Sequence, residues 1–297
     1  MPVEEEKGRC CMLKLLMVLC MTVAVFGWMD EDGGDNLIVG SQGSTRTDTI
    51  PLNIIDQFQL DPSIQMLGLD YDDHDDLLGL MDNDSSYIRA VETGTGTESW
   101  SEAVPYSETF GTCHDLTYPY GWWVNSWATG NLYYWDGVDS WGAVYANPAG
   151  DDGRGMDFDE SGYIWQAATN STPSVGLYRI NAATGTSEYF DLLGGPIVSR
   201  LSGLTYIPYA PHPMLVVTCY TSPDWYFYEY DGTDLSLIGT AIPQVSDFDG
   251  SRGLTFSSDT GTIFWSYKTT TSRWIAEVEF NSGALQQSTW GNIKTQF

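Results

Sequence analysis

Cationic side chains are scarce in this chain. Lysine and arginine together number 12 among 297 residues, against 40 aspartates and glutamates, and histidine adds three. A formal net charge of −28 leaves no surplus of cations to displace phosphate counterions, which argues against nucleic acid as a partner. The same shortage disfavours docking on an anionic membrane surface. Cysteine is also sparse. Of the five, Cys10, Cys11 and Cys20 fall in the first twenty residues, leaving Cys113 and Cys219. These two lie in non-adjacent repeats, so buried free thiols are expected more than a disulfide. Long apolar stretches with a 3.6-residue period are missing beyond the N-terminus, which excludes a helical bundle. No phosphate loop, nucleophile elbow or metalloprotease helix occurs.

What is present is apolar and aromatic. Hydrophobic residues make up 42% of the chain and aromatics 14%, enough to bury a sizeable core and to exclude global disorder. Leu15 to Gly27 is an apolar run of signal-peptide length, too short to span a bilayer comfortably. Val25 and Gly27 are small enough for the cleavage positions before Trp28. The acidic Glu4-Glu5-Glu6 is wrong for the region ahead of such a run, and a start at Met12 reads better. Residues 1–27 are therefore expected to be a signal peptide, with secretion, or a periplasmic or cell-surface location, as the consequence. Residues 28–55, with Gly33, Gly34, Gly40 and Gly43, read as a linker or N-terminal arm. The folded domain is expected over 56–297.

That domain repeats itself. Gly68-Leu-Asp-Tyr71, Asp115-Leu-Thr-Tyr118, Gly155-Met-Asp-Phe158, Gly203-Leu-Thr-Tyr206 and Gly253-Leu-Thr-Phe256 share one pattern, at intervals of 47, 40, 48 and 50 residues. Each phrase leads to a turn, then to second and third strands such as Tyr163-Ile-Trp165 and Leu177–Ile180. A Gly-containing turn and a weaker fourth strand follow in most units. Units near 45 residues are propeller-blade length. The pattern predicts an all-β fold, a five-bladed β-propeller of four-stranded antiparallel blades, with six blades as the alternative. Asp56–Leu60 precedes the first phrase as a lone strand. It is predicted to pair with Trp274–Phe280 and close the ring.

Gly155–Gly185, with Asp159-Glu-Ser-Gly-Tyr-Ile-Trp165 and Leu177-Tyr-Arg-Ile-Asn-Ala-Ala-Thr-Gly185, resembles blades of the NHL, YncE and gluconolactonase-like propeller group. The resemblance implies the fold and little about activity, since such scaffolds host lactonases, lyases and binding proteins. Gluconolactonase-like enzymes hold a divalent metal with a Glu, an Asn and an Asp on inner strands. Asp70, Asp115 and Asp157 are the inner acids here, with no matching Glu or Asn.

Three groups of residues are candidates for function. Asp70, Asp72, Asp73, Asp75 and Asp76 offer hard oxygen ligands for Ca²⁺, although the EF-hand glycine and glutamate are missing; a solvated acidic turn is the plainer reading. Trp127 and Trp225 stand near loops and suit an exposed stacking platform for a glycan, with packing between blades as the competing role. Arg154 and Arg252 immediately precede the opening glycines of their units, His114 holds the same place before Asp115, and Arg200 is three residues before Gly203. A shared repeat position predicts that His114, Arg154, Arg200 and Arg252 converge at one channel mouth, suited to an anionic ligand or stapling the ring through Asp partners. The functional expectation is a secreted, non-enzymatic propeller binding a small molecule, glycan or protein partner. The alternative is a hydrolase or lyase acting at the channel mouth.

Overall fold

The computed structural model describes residues 48–280, except 118–120, 170–174, 193–196, 198–199 and 210. The candidate signal peptide and most of the arm lie outside the described residues. Alternating aromatic and β-branched runs separated by Asp, Asn and Gly turns give five antiparallel sheets. Blade I contains β3 (Met66–Asp72), β4 (Leu77–Asp82), β5 (Tyr87–Glu92) and β6 (Glu98–Ala103). Blade II contains β7 (Thr109–His114), β8 (Trp122–Ser126), β9 (Asn131–Trp135) and β10 (Trp141–Ala146). Blade III contains β11 (Gly153–Phe158), β12 (Tyr163–Ala168), β13 (Gly176–Asn181) and β14 (Ser187–Asp191). Blade IV contains β15 (Leu201–Ile207), β16 (Met214–Cys219), β17 (Trp225–Tyr230) and β18 (Leu235–Ala241).

Blade V is completed from both ends of the chain. Its strands β19 (Phe248–Ser257), β20 (Thr262–Thr269) and β21 (Arg273–Phe280) receive β2 (Leu52–Gln59) as the outer strand. Gln57 faces Ala276, Phe58 faces Ile275 and Gln59 faces Trp274, the pairing anticipated for the lone early strand. The strand begins at Leu52, upstream of Asp56 and inside the stretch read as an arm. Just before it, β1 (Asp48–Thr49) runs parallel to β18 on the rim of blade IV. The chain is a five-bladed β-propeller.

The innermost strands β3, β7, β11, β15 and β19 contact one another in a closed ring. Their register is fixed by glycine. A Cβ at Gly111 would lie 2.3 Å from Arg154 O, one at Gly68 2.6 Å from Phe110 O, and one at Gly253 2.6 Å from Leu69 N. Gly155 and Gly203 meet the next strand at 2.7 and 2.9 Å in the same way. Adjacent backbones approach too closely for any side chain. This ring corrects the reading of the second unit. Its opening phrase is Gly111-Thr-Cys-His114, and Asp115-Leu-Thr-Tyr118, echoing the pattern, begins beyond the end of β7.

Five apolar wedges fill the spaces between blades. Trp122 lies between I and II, Trp123 between II and III, and Trp165 between III and IV. Trp225 and Trp265 share the wedge between IV and V, and the fifth, between V and I, gathers Leu69, Leu78, Leu80, Phe264 and Ile275. Each indole removes about 200 Å² of surface from water, so it dominates its wedge. Trp225 is fully buried and meets Trp265 edge to face, which removes it as an exposed platform. Cys113 and Cys219 are buried in separate wedges and form no disulfide.

Candidate functional site at the axial mouth

The five inner strands run in the same direction, so each phrase position becomes a level of the channel. At the end where the strands begin, the residues preceding the ring glycines are Leu67, Phe110, Arg154, Ser202 and Arg252. Every inner strand bulges there, which frees these residues from the regular ladder. Phe110 stacks on Trp127, with centroids 5.6 Å apart, and approaches Tyr220 at 6.0 Å. The Arg154 guanidinium lies 4.8 Å from the Trp127 ring centre, and that of Arg252 4.3 Å from Tyr220. Arg154 Nη1 also donates to the carbonyls of Asp151 and Gly153. Burial, with the Arg200 charge adding, holds the Arg154 pKa below its usual value against the opposing influence of Tyr220 and Asp152. Arg154 and Arg252 thus lie near Tyr220 at one end, where the Tyr220 N–H donates to the Arg200 carbonyl and the Arg200 charge acts on Arg154, and Trp127 serves as a surface on which Arg154 stacks. His114 does not join them. In the corrected register it is equivalent to Tyr71, Phe158, Tyr206 and Phe256, at the opposite end.

That opposite end holds a cavity of about 160 Å³. Asp70, Asp157 and His114 line it together with Tyr71, Phe158, Tyr206 and Phe256, and Asp73 and Glu160 add two more acids. Among the described residues no lysine or arginine lines it. Both inner carboxylates are anchored to neighbouring strands. Asp70 accepts from the His114 N–H of β7 and, at 2.8 Å, from the Thr255 hydroxyl of β19. Asp157 accepts from Phe158 N at 2.7 Å, Thr205 Oγ1 at 2.7 Å and Tyr206 N at 2.6 Å. The exposed ladder edge of an inner strand needs such acceptors, because no further strand pairs with it.

Anchoring does not offset desolvation. Burial, with the charge of Asp157 adding, pushes the Asp70 carboxyl well above the usual carboxylate range. Burial pushes Asp157 up to about 7 although its three hydrogen bonds pull the other way. Two buried carboxyls on one cavity wall can accept N–H donors or a cation, and one poised near neutrality can exchange a proton with a bound molecule.

The five aspartates expected to offer ligands for Ca²⁺ fall on the channel wall, at the end of β3 and in the turn after it. Asp70 is on the channel wall. Asp72 and Asp73 come within 4.8 Å of His114, measured between potential ligand atoms. Asp72 Oδ1 is taken up by the turn it caps, accepting from His74 N and Asp75 N. Asp76 sits at φ 55° in that turn and accepts from the Tyr71 hydroxyl. The sequence reading missed Asp157 and the aromatic residues around it as one site. The signal was available in the repeat: Asp70 and Asp157 share the third position of the opening phrase.

No protein-family model and no curated protein matches the sequence. Solved structures match in fold. The glutaminyl cyclase of Myxococcus xanthus aligns with a TM-score of 0.59 at 14% identity, covering 79% of this chain and 98% of that one. The PQQ-bound aldose sugar dehydrogenase of Streptomyces coelicolor aligns with 0.54 at 11%, covering 78% and 99%. Likeness at such identities extends to the propeller architecture alone.

Proposed function

We propose that this chain is an exported, ligand-binding propeller whose ligand is a small molecule bearing a protonated amine, held in the axial cavity where the inner strands end. The observation that carries this reading is the pair Asp70 and Asp157, both buried, in a cavity wall where the described residues include no lysine or arginine and the single basic group is His114. An ammonium group donates to carboxylates while the rings of Tyr71, Phe158, Tyr206 and Phe256 cover its apolar part. Export rests on the apolar run Leu15–Gly27. Titration calorimetry with phenethylamine is the test. Saturable binding is expected at pH 8, weaker at pH 5 as Asp157 protonates, and reduced about tenfold or more in Asp70→Asn or Asp157→Asn. Absence of binding, or binding indifferent to both substitutions, refutes the reading.

A catalytic reading draws on a different observation, the Asp157 carboxyl near 7, where a general acid or base works best. The two structural neighbours named above carry enzyme names. Hydrolysis or elimination in a lactone and ester panel, with an apparent pKa near 7 that vanishes in Asp157→Asn, would select it over simple binding.

A further inference from the structure

A second cavity, of about 230 Å³, lies between blades I and II and is lined by Trp100, Trp122, Trp135, Gly137, Asp72 and Asp75. Its walls come from four places in the chain. Trp100 is on outer strand β6, Trp122 opens β8, Trp135 ends β9, and the two aspartates belong to the end of β3 and the turn after it. Gly79 in β4 makes the arrangement possible. A Cβ there would fall 2.0 Å from Cη2 of Trp122, so only glycine admits the indole of the neighbouring blade. The rings stand at angles to one another, 70° for Trp100 against Trp122 and 48° for Trp100 against Trp135, with centroids 6.0 and 5.5 Å apart. Angled indole faces beside two carboxylates concentrate negative potential from several directions.

Elsewhere in the molecule such potential is already met by arginine. Arg89 covers Tyr87, Arg154 covers Trp127, Arg179 covers Tyr163, and Arg252 covers Tyr220. Among the described residues no arginine or lysine is placed over Trp100, Trp122 or Trp135 or lines this cavity; the basic groups beside it are imidazoles, His114 at 5.0 Å from Trp122 between ring centres and 3.7 Å from Asp72 Oδ1, and His74 at 4.0 Å from Asp75 Oδ1. We propose that the cavity binds a quaternary ammonium cation from solution. A primary ammonium would leave N–H donors facing rings that accept poorly, whereas a quaternary one has no donors to strand. A pyranose needs a broad accessible face, which Trp122 and Trp135, 1% and 7% exposed, do not offer; the half-buried Trp100 presents the indole face that a compact cation meets. The buried Trp135 Nε1, without an acceptor among the described residues, further favours a cation that carries an oxygen, so choline is the probe.

The experiment is a choline titration of the full chain, followed by tryptophan fluorescence at low salt. A saturable change is expected, about tenfold weaker in Asp75→Asn and lost in Trp100→Leu. Asp75 is exposed in its turn, with 45% of its side-chain surface accessible, so that variant tests the cavity without endangering the fold. The neutral isostere 3,3-dimethylbutan-1-ol is expected to bind at least tenfold more weakly than choline. No saturable response, equal binding of the isostere, or unchanged affinity in both variants overturns the proposal. So does choline binding that survives in Asp75→Asn but is lost in Asp70→Asn, because the cation would then occupy the axial cavity. Failure of the amine to bind at the axial mouth leaves this result unaffected.

Discussion

Asp157 accepts three hydrogen bonds, yet burial still lifts its carboxyl to about 7. In an unfolded chain the same group titrates near 3.9. Between those values the folded state holds the proton and the unfolded state has released it, so stability falls as pH rises from about 4 to 7. The raised carboxyls of Asp70 and Asp72 act in the same direction. Thermal unfolding of the native protein is therefore expected to shift downward between pH 4.5 and 8. Asp157→Asn should flatten that decline, removing on the order of a few kcal/mol of pH dependence. Parallel curves for the two proteins would contradict the assignment. Single residues also mark where the sequence is readable. Gly111 was overlooked because Asp115-Leu-Thr-Tyr118 imitates the side chains of the repeat. The constraint lies in the missing Cβ that lets β7 approach β11, and hydropathy patterns do not register it. Trp127 and Trp225 are equivalent in composition, and only packing separates the indole that stacks under Arg154 from the one buried against Trp265.

At the level of strands, the order of elements was legible because each blade is a local meander whose turns contain Asp, Asn and Gly. The closing strand was legible for a different reason: it had no partner within its own neighbourhood of the sequence. The cavities were not, since their walls combine side chains from different blades. β2 also hides the edge of β21, which would otherwise expose a row of unpaired backbone groups beside Ile275 and Val278. Deleting residues 48–59 is expected to lower the melting temperature by at least about 10 °C and to promote association through blade V. Circular dichroism melts and light scattering on the truncated chain check this. An unchanged melt and a monomeric product would show that β2 contributes little.

Across the whole molecule, a net charge of −28 makes compaction costly at low ionic strength, where the screening length is about 30 Å at 0.01 M. The melting temperature is expected to rise by several degrees between 10 and 300 mM NaCl, as measured by differential scanning fluorimetry. A melt insensitive to salt would mean that the acids are dispersed too widely to repel. Acid and base are distributed unevenly along the axis, with guanidiniums gathered around Tyr220 at one end and carboxyls around the cavity at the other.

The closing strand carries a consequence for synthesis on the ribosome. Gln59 and Ser272, which share a side-chain hydrogen bond, are 213 positions apart. At 5–20 residues per second, β2 emerges roughly 10–40 s before the strand it must join. Blades I to IV have their own strands well before that moment, but the ring has no seam to close. During this interval the nascent chain displays Ile54 and Phe58 without their partner, a natural window for chaperone engagement, and release of the finished C-terminal blade ends it.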